Sequence, residues 1–90
     1  MLYMVIEHFR DGAAPKIYER FREKGRMLPD GLVYIDSWLE KEGTRCFQLM
    51  ETDDRALLDE CISHWQDIVE FEVFPVITSA EAAGRVNKFG

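Results

Sequence analysis

The amino-acid sequence predicts an α+β domain whose elements follow the order strand, helix, strand, strand, helix, strand. Three observations support this fold class. Several segments of β-forming residues alternate in hydrophobicity, two other segments carry apolar residues at helical spacing, and clusters of Gly, Pro and Asp separate them. The 90 residues allow one domain, which we place at residues 1–83, followed by a flexible tail at 84–90.

The first two elements are a strand and an amphipathic helix. Residues 2–9 are rich in β-forming residues and end at the Asp-Gly turn sequence of residues 11–12. Pro15 suits the first position of a helix, because its missing N–H needs no partner there. Gly25 either ends this helix or lies within it, and the Pro-Asp-Gly sequence at 29–31 stops it in either case.

The middle of the chain predicts a hairpin and a second helix. Residues 32–40 and 45–52 alternate in hydrophobicity, and the sequence Lys-Glu-Gly at 41–43 has the composition of a short turn. The second helix follows directly. Thr52 or Asp53 is placed to cap its amino end.

The end of the chain predicts a fourth strand and a short helix. The strand covers residues 68–77 and must lie at a sheet edge, because its proline cannot donate a ladder hydrogen bond. Thr78 and Glu81 have the spacing of a capping box, which predicts a short helix over 79–83 ended by Gly84.

Two β-α-β units with right-handed crossovers give a ferredoxin-like sandwich. Its four antiparallel strands follow the order 4-1-3-2, and both helices cover one face. Alternation predicts the side chains under the helices to be Val33, Ile35, Leu39, Phe47, Leu49, Val69, Phe71 and Val73. The opposite face would carry Tyr34, Asp36, Trp38, Cys46, Gln48, Met50, Glu70, Glu72 and Phe74. In the first strand, the odd and the even residues compete for the helix side.

The predicted second face is too apolar to stay exposed to water. Aromatic residues and methionine together on one sheet face form a large apolar patch, which usually marks an interaction surface. We therefore expect a homodimer in which two sheets pack face to face. A chain of this size gains much of its stability from such a partner.

Composition excludes several classes of function. The net charge of −6 argues against nucleic-acid binding, which depends on Lys and Arg. The chain shows neither the basic start of a signal peptide nor an apolar run of about 20 residues, so we expect no membrane association and a cytoplasmic protein. Cys46 and Cys61 lie far apart in sequence, and we expect both to be reduced and packed.

Three segments resemble a bacterial family of short domains of unknown function. They are Ser37-Trp38, the sequence RCFQLMETDD at 45–54 and the sequence HWQDIVEFEVFPV at 64–76. The resemblance covers about residues 1–83. It implies a place in the dimeric α/β-barrel superfamily, which is similar in fold to cofactor-independent monooxygenases, haem-degrading monooxygenases, muconolactone isomerases and stress-responsive barrel proteins. No catalytic residue carries over, because the family has no established activity.

Four side chains on the predicted second face are candidate ligand-binding residues: Trp38, Gln48, Glu72 and His8. His8 joins them only if the even residues of the first strand lie there. Trp38 could stack on a flat ligand, but an anchor at the dimer interface is the commoner role for such an aromatic residue. Glu72 shares its face with Glu70, and enclosing both would raise at least one pKa, although solvated carboxylates at a rim are commoner. Neither histidine has a second ligand at metal spacing, so we expect no metal or haem.

These observations favour a homodimer that holds a small, partly apolar organic molecule in each protomer, without cofactor. The first alternative is a structural or regulatory dimer without ligand, and the second is a cofactor-independent monooxygenase. A cavity with convergent polar groups would favour ligand binding, whereas a closed core would favour the structural dimer. The sequence leaves open whether the protein is an enzyme.

Overall fold

A computed structural model describes residues 1–89 of the chain, with side chains to Arg85. It contains β1 (Leu2–Phe9), α1 (Ala14–Lys24), β2 (Val33–Leu39), β3 (Arg45–Glu51), α2 (Arg55–Ser63), β4 (Val69–Val76) and α3 (Ser79–Phe89). This order confirms the predicted succession of strands and helices. No helix within the described residues is long and apolar enough to cross a membrane.

The four strands form one antiparallel sheet in the order β2-β3-β1-β4. This is the predicted 4-1-3-2 order, and it confirms the α+β, ferredoxin-like class. β4 lies at the edge, as the proline of that strand requires, and Pro75 stands opposite Tyr3 of β1. The central strand β1 is paired on both sides, so its side chains lie in the middle of the sheet.

Helices α1 and α2 begin close to the predicted positions. The structure also shows that Gly25 ends α1 and does not lie within it. α1 ends at Lys24, where Gly25 adopts a φ of 65° and its N–H donates to the carbonyl of Phe21 at 2.8 Å. A left-handed residue at this position is usually glycine. Asp54 caps α2 by accepting the N–H of Ala56 at 3.0 Å, one residue beyond the predicted capping residues.

The C-terminal helix α3 is longer than predicted. Its start is confirmed, since the Thr78 hydroxyl accepts the N–H of Glu81 at 3.0 Å. The prediction that it ends at Gly84 is wrong, because α3 continues to Phe89 and Gly84 has no left-handed backbone. A glycine inside a helix costs only about 1 kcal/mol relative to alanine. Gly90 lies outside the described residues, and flexibility of the 84–90 segment stays a prediction.

The two helices and the sheet enclose the core, and β1 shows which face they cover. Tyr3, Val5 and Glu7 are buried there against residues of α2 such as Leu58 and Cys61. The odd residues of β1 therefore face the helices. His8 and the other even residues lie on the opposite side, which we call the open face.

The predicted orientation of β3 is wrong. Its pairing with β1 places Met50 opposite Tyr3, Gln48 opposite Val5 and Cys46 opposite Glu7. These three side chains therefore lie on the helix side. Phe47 and Leu49, predicted to pack under the helices, lie on the open face.

A register shift explains the errors in β2. The pairing of β2 with β3 skips one residue between Tyr34 and Asp36, as at a β-bulge. Tyr34, Ser37 and Leu39 therefore face the helices, opposite the inward residues of β3. The predicted inward residues Val33 and Ile35 are instead 52% and 44% exposed. In β4, by contrast, Val69, Phe71 and Val73 face the helices as predicted.

Candidate functional site

The helix side of the sheet contains a cavity of about 400 Å³. It lies between the sheet and helices α1 and α2, and apolar side chains of all three form most of its wall, among them Val5, Ile17, Phe21 and Ile62. Small-molecule sites commonly enclose about 300 to 1,000 Å³ and are lined in this way. The cavity is therefore large enough for a small organic ligand.

Glu7 is the carboxyl group of this cavity. It lies on the central strand β1 and is only 9% exposed. Burial raises the pKa of Glu7 to about 7, although the positive charge of Arg26 and the side chains of Gln48 and Cys46 oppose this rise. Glu7 therefore changes its protonation state near neutral pH.

Gln48 is the direct partner of Glu7. It lies two residues along β3 from Cys46, which stands opposite Glu7, and its amide N–H donates to the Glu7 carboxylate. Gln48 is also the one predicted ligand-binding residue that lines the cavity. The hydrogen bond fixes the position of the carboxylate inside an otherwise apolar wall.

Two thiols complete this part of the wall. Cys46 and Cys61 are free, the first half-buried and the second buried. Burial, followed by the charge of Glu7, raises the pKa of Cys46 to about 11, and the same two causes raise the pKa of Cys61. Both thiols are therefore protonated and weak nucleophiles at neutral pH. Within residues 1–89, no three His, Cys, Asp or Glu side chains are grouped closely enough to hold a metal ion.

Arg26 supplies a positive charge to the same cavity. It lies in the loop after α1, and its guanidinium carbon lies over the rings of Phe21 and Tyr34, at 5.0 and 3.7 Å from their centroids. Its Nε is buried and has no hydrogen-bond partner in the described part of the chain. A buried donor without an acceptor costs about 1 to 3 kcal/mol.

Three predicted site residues lie on the open face instead. The His8 Nε2 contacts the Glu72 carboxylate, which makes them neighbours on β1 and β4. Trp38 is 52% exposed and stands opposite Phe47 on β3. From Trp38 to Glu72 the sheet spans three strand spacings of about 4.8 Å, or roughly 14 Å. The four predicted residues therefore do not form one site within a protomer.

Sequence reasoning gave no role to Glu7 or Arg26. Glu7 was part of the ambiguous first strand, where one of the two registers buries a carboxylate, and a buried carboxylate is itself a signal of function. Arg26 follows the helix-ending Gly25 in a loop without periodicity. No sequence pattern indicates that its side chain turns back between two aromatic rings.

The chain belongs to a protein family described as Domain of unknown function (DUF3303), whose model it matches over residues 1–90. This confirms the resemblance to a family of unknown function. No curated protein matches the chain. The family description assigns no activity, so function has to be argued from the cavity itself.

Proposed function

We propose that this protein binds a small, partly apolar organic molecule in the cavity of each protomer of a homodimer. The observation that carries this proposal is the presence of Glu7, Gln48 and Arg26 in the wall of an otherwise apolar cavity. A mostly apolar pocket with a few convergent polar groups and a perturbed carboxyl is the usual form of a small-molecule site.

The cost of this arrangement supports a functional role. Burial disfavours the ionised form of Glu7, and Arg26 has a buried donor without acceptor. A domain selected only for packing would gain stability from apolar side chains at both positions. Natural proteins keep such unfavourable groups mainly where a ligand or a reaction needs them.

The homodimer is proposed from the open face. Large apolar side chains on both edge strands are exposed there, including Val33 and Trp38 on β2 and Phe74 on β4. Between them lie half-buried apolar residues of β1 and β3, so the apolar surface is continuous across the sheet. Packing two such faces across a two-fold axis would give the dimeric α/β barrel implied by the resemblance. Each protomer would keep its own cavity on the outer, helix-covered side of its sheet.

The cell location follows from the cysteines in this proposal. Cys46 and Cys61 are free, which suits the reducing cytoplasm. The family resemblance adds a bacterial source.

A dimerisation module without ligand is the second candidate. The apolar open face favours it, since this surface would serve a dimer whether or not the cavity is occupied. The two candidates differ in what they require of Glu7 and Arg26. Only the first gives these residues a binding partner.

Protein-observed NMR separates the two candidates. We expect a library of small aromatic and aliphatic molecules to yield ligands that shift backbone amides around Glu7, Gln48 and Arg26. Gln48→Leu should weaken this binding, because it removes the hydrogen bond that fixes Glu7. Trp38→Ala, on the other face, is the matched control and should leave it unchanged. A library with no ligand for the cavity, or with shifts confined to the open face, would favour the module without ligand.

A further inference from the structure

Arg26 gives the cavity a fixed positive charge that no carboxylate neutralises by contact. Among the described residues that line the cavity, it is the one cationic side chain. None of the ion pairs formed by the described residues includes it. Arginine donates several hydrogen bonds in a planar fork that matches a carboxylate.

Glu7 is not the carboxylate that pairs with Arg26. The positive charge of Arg26 lowers the pKa of Glu7, so the two groups interact electrostatically. They are not within ion-pair distance of each other. Gln48 is the hydrogen-bond partner of Glu7 instead. The cavity wall therefore offers two separate polar groups, one always cationic and one that is neutral when protonated.

The aromatic stacking holds the guanidinium ready for a ligand. The guanidinium lies over the ring of Tyr34 and near that of Phe21, and Tyr34 is itself fixed by a hydrogen bond to Ser37. Stacking leaves the edge of the guanidinium, where all N–H groups lie, for an acceptor. The Nε lacks an acceptor among the described residues but is covered by protein, so a ligand in the cavity would bind the outer N–H groups of the fork.

We propose that the cavity takes an apolar molecule with one carboxylate, that Arg26 binds this carboxylate, and that Glu7 takes up a proton from solvent as the anion enters. This inference rests on the proposed function and specifies its ligand class. An anion beside ionised Glu7 would be repelled, whereas the protonated carboxyl can donate a hydrogen bond to it. Binding is therefore coupled to one protonation step.

The coupling predicts weaker binding at higher pH. With its pKa at about 7, Glu7 is about 90% protonated at pH 6 and about 10% protonated at pH 8. If only the protonated form admits the anion, affinity falls about tenfold between these values. The other charged or titratable groups of the wall are Arg26, Cys46, Cys61 and Tyr18. The raised pKa values of both thiols keep them neutral over this range.

The test compares two probes of equal shape, 4-phenylbutyrate and 4-phenylbutyramide, by isothermal titration calorimetry. At pH 6 we expect the acid to bind about tenfold more tightly than the amide, because a charged acceptor strengthens the hydrogen bonds of Arg26. The acid should lose about tenfold in affinity at pH 8, and the amide should not. At pH 8, titrations in buffers of different ionisation enthalpy should show uptake of nearly one proton with the acid and none with the amide, whereas at pH 6 the uptake with the acid should be small.

Two variants assign the effects to residues. Arg26→Met should remove the preference for the acid, and Glu7→Gln should keep the preference while removing the pH dependence. His8 on the open face and His64 after α2 both remain in Glu7→Gln, so a lost pH dependence is assigned to Glu7. If Arg26→Met does not fold, two other measurements test the proposal. They are the ratio of the acid and amide affinities of the wild type and the pH dependence of acid binding by Glu7→Gln.

The outcomes separate this inference from the proposed function. Equal binding of acid and amide overturns the inference and supports ligand binding in the cavity. Absence of binding by both probes also overturns it for this class of acid, while the NMR library still tests the proposed function. A tenfold preference for the acid that survives Arg26→Met would place the carboxylate elsewhere and refute the assignment.

Discussion

The two faces of the sheet each depart from the usual pattern. The helix-covered face carries buried Glu7 and half-buried Gln48 among apolar residues. The open face presents Trp38 and Phe74, which are 52% and 46% exposed. In an ordinary sandwich, the covered face is the apolar one and the open face is polar. Here the apolar covered face also contains a buried carboxyl, and the open face also exposes large apolar side chains.

This difference supports the proposal that each face has a further partner. A buried carboxyl beside a cavity requires a polar ligand or water, whereas an exposed apolar sheet face requires another apolar surface. These requirements match the proposal of a small molecule at the covered face and a second copy of the chain at the open face.

The largest expected effect concerns the open face. Phe74→Asp should convert a dimer at micromolar concentration into a monomer, as measured by size-exclusion chromatography with light scattering. An unpaired charge buried at an interface costs about 3 to 5 kcal/mol, and a two-fold axis introduces it twice. Tyr18→Asp places the same charge at an exposed aromatic residue of α1 and is the matched control. A wild-type protein that is already monomeric would contradict the assignment of this face.

The next effect concerns the covered face and its pH dependence. Because the pKa of Glu7 rises from 4.5 to about 7 on folding, the unfolded chain releases this proton first as the pH increases. The free energy of unfolding should therefore fall by about 3 kcal/mol between pH 4.5 and pH 7 and level off above. Glu7→Gln should be more stable than the wild type at pH 8 by up to this amount, and equal to it at pH 4.

Urea denaturation at constant protein concentration measures this difference. Glu23→Gln, on the exposed side of α1, is the control and should leave the pH profile unchanged. Identical profiles for wild type and Glu7→Gln would show that the Glu7 carboxyl is not desolvated.

The smallest effect concerns the thiols of the cavity. A pKa of about 11 in place of 9.0 lowers the thiolate fraction of Cys46 at pH 8 by about 100-fold. Native labelling with a maleimide should therefore be slow at Cys46 and at buried Cys61, and fast at both in denaturant. Bound ligand should slow it further. Rapid labelling of both in the native protein would place the thiols outside the packed wall.

The sequence predicted much of the fold because the element signals are local. Alternation along β4 placed Val69, Phe71 and Val73 under the helices correctly, since charged Glu70 and Glu72 separate them. The same rule failed in β3, where Phe47 and Leu49 are more apolar than Cys46 and Gln48. The rule assumes that the covered face is the more apolar one.

Most of the candidate site could not be predicted for the same reason. The sequence identifies Gln48 as a binding residue but places it on the wrong face, whereas Trp38 and Glu72 lie on the predicted face. The bulge after Tyr34 changes which residues of β2 face inward, and no glycine or proline marks it. Arg26 reaches the cavity only through tertiary packing. The bulge depends on how two strands pair, and the position of Arg26 depends on how a loop packs on the sheet. Local periodicity in the sequence gives no information on either.

Native mass spectrometry of freshly purified protein tests the central claim most directly. The account predicts a dimer that carries the same additional small mass on each protomer, lost when the chain is denatured and reduced in Gln48→Leu but not in Trp38→Ala. Tandem dissociation should release that mass as an organic acid. Two results together would contradict the account. They are a dimer with twice the mass of the bare chain, and no uptake of any cavity ligand from the NMR library.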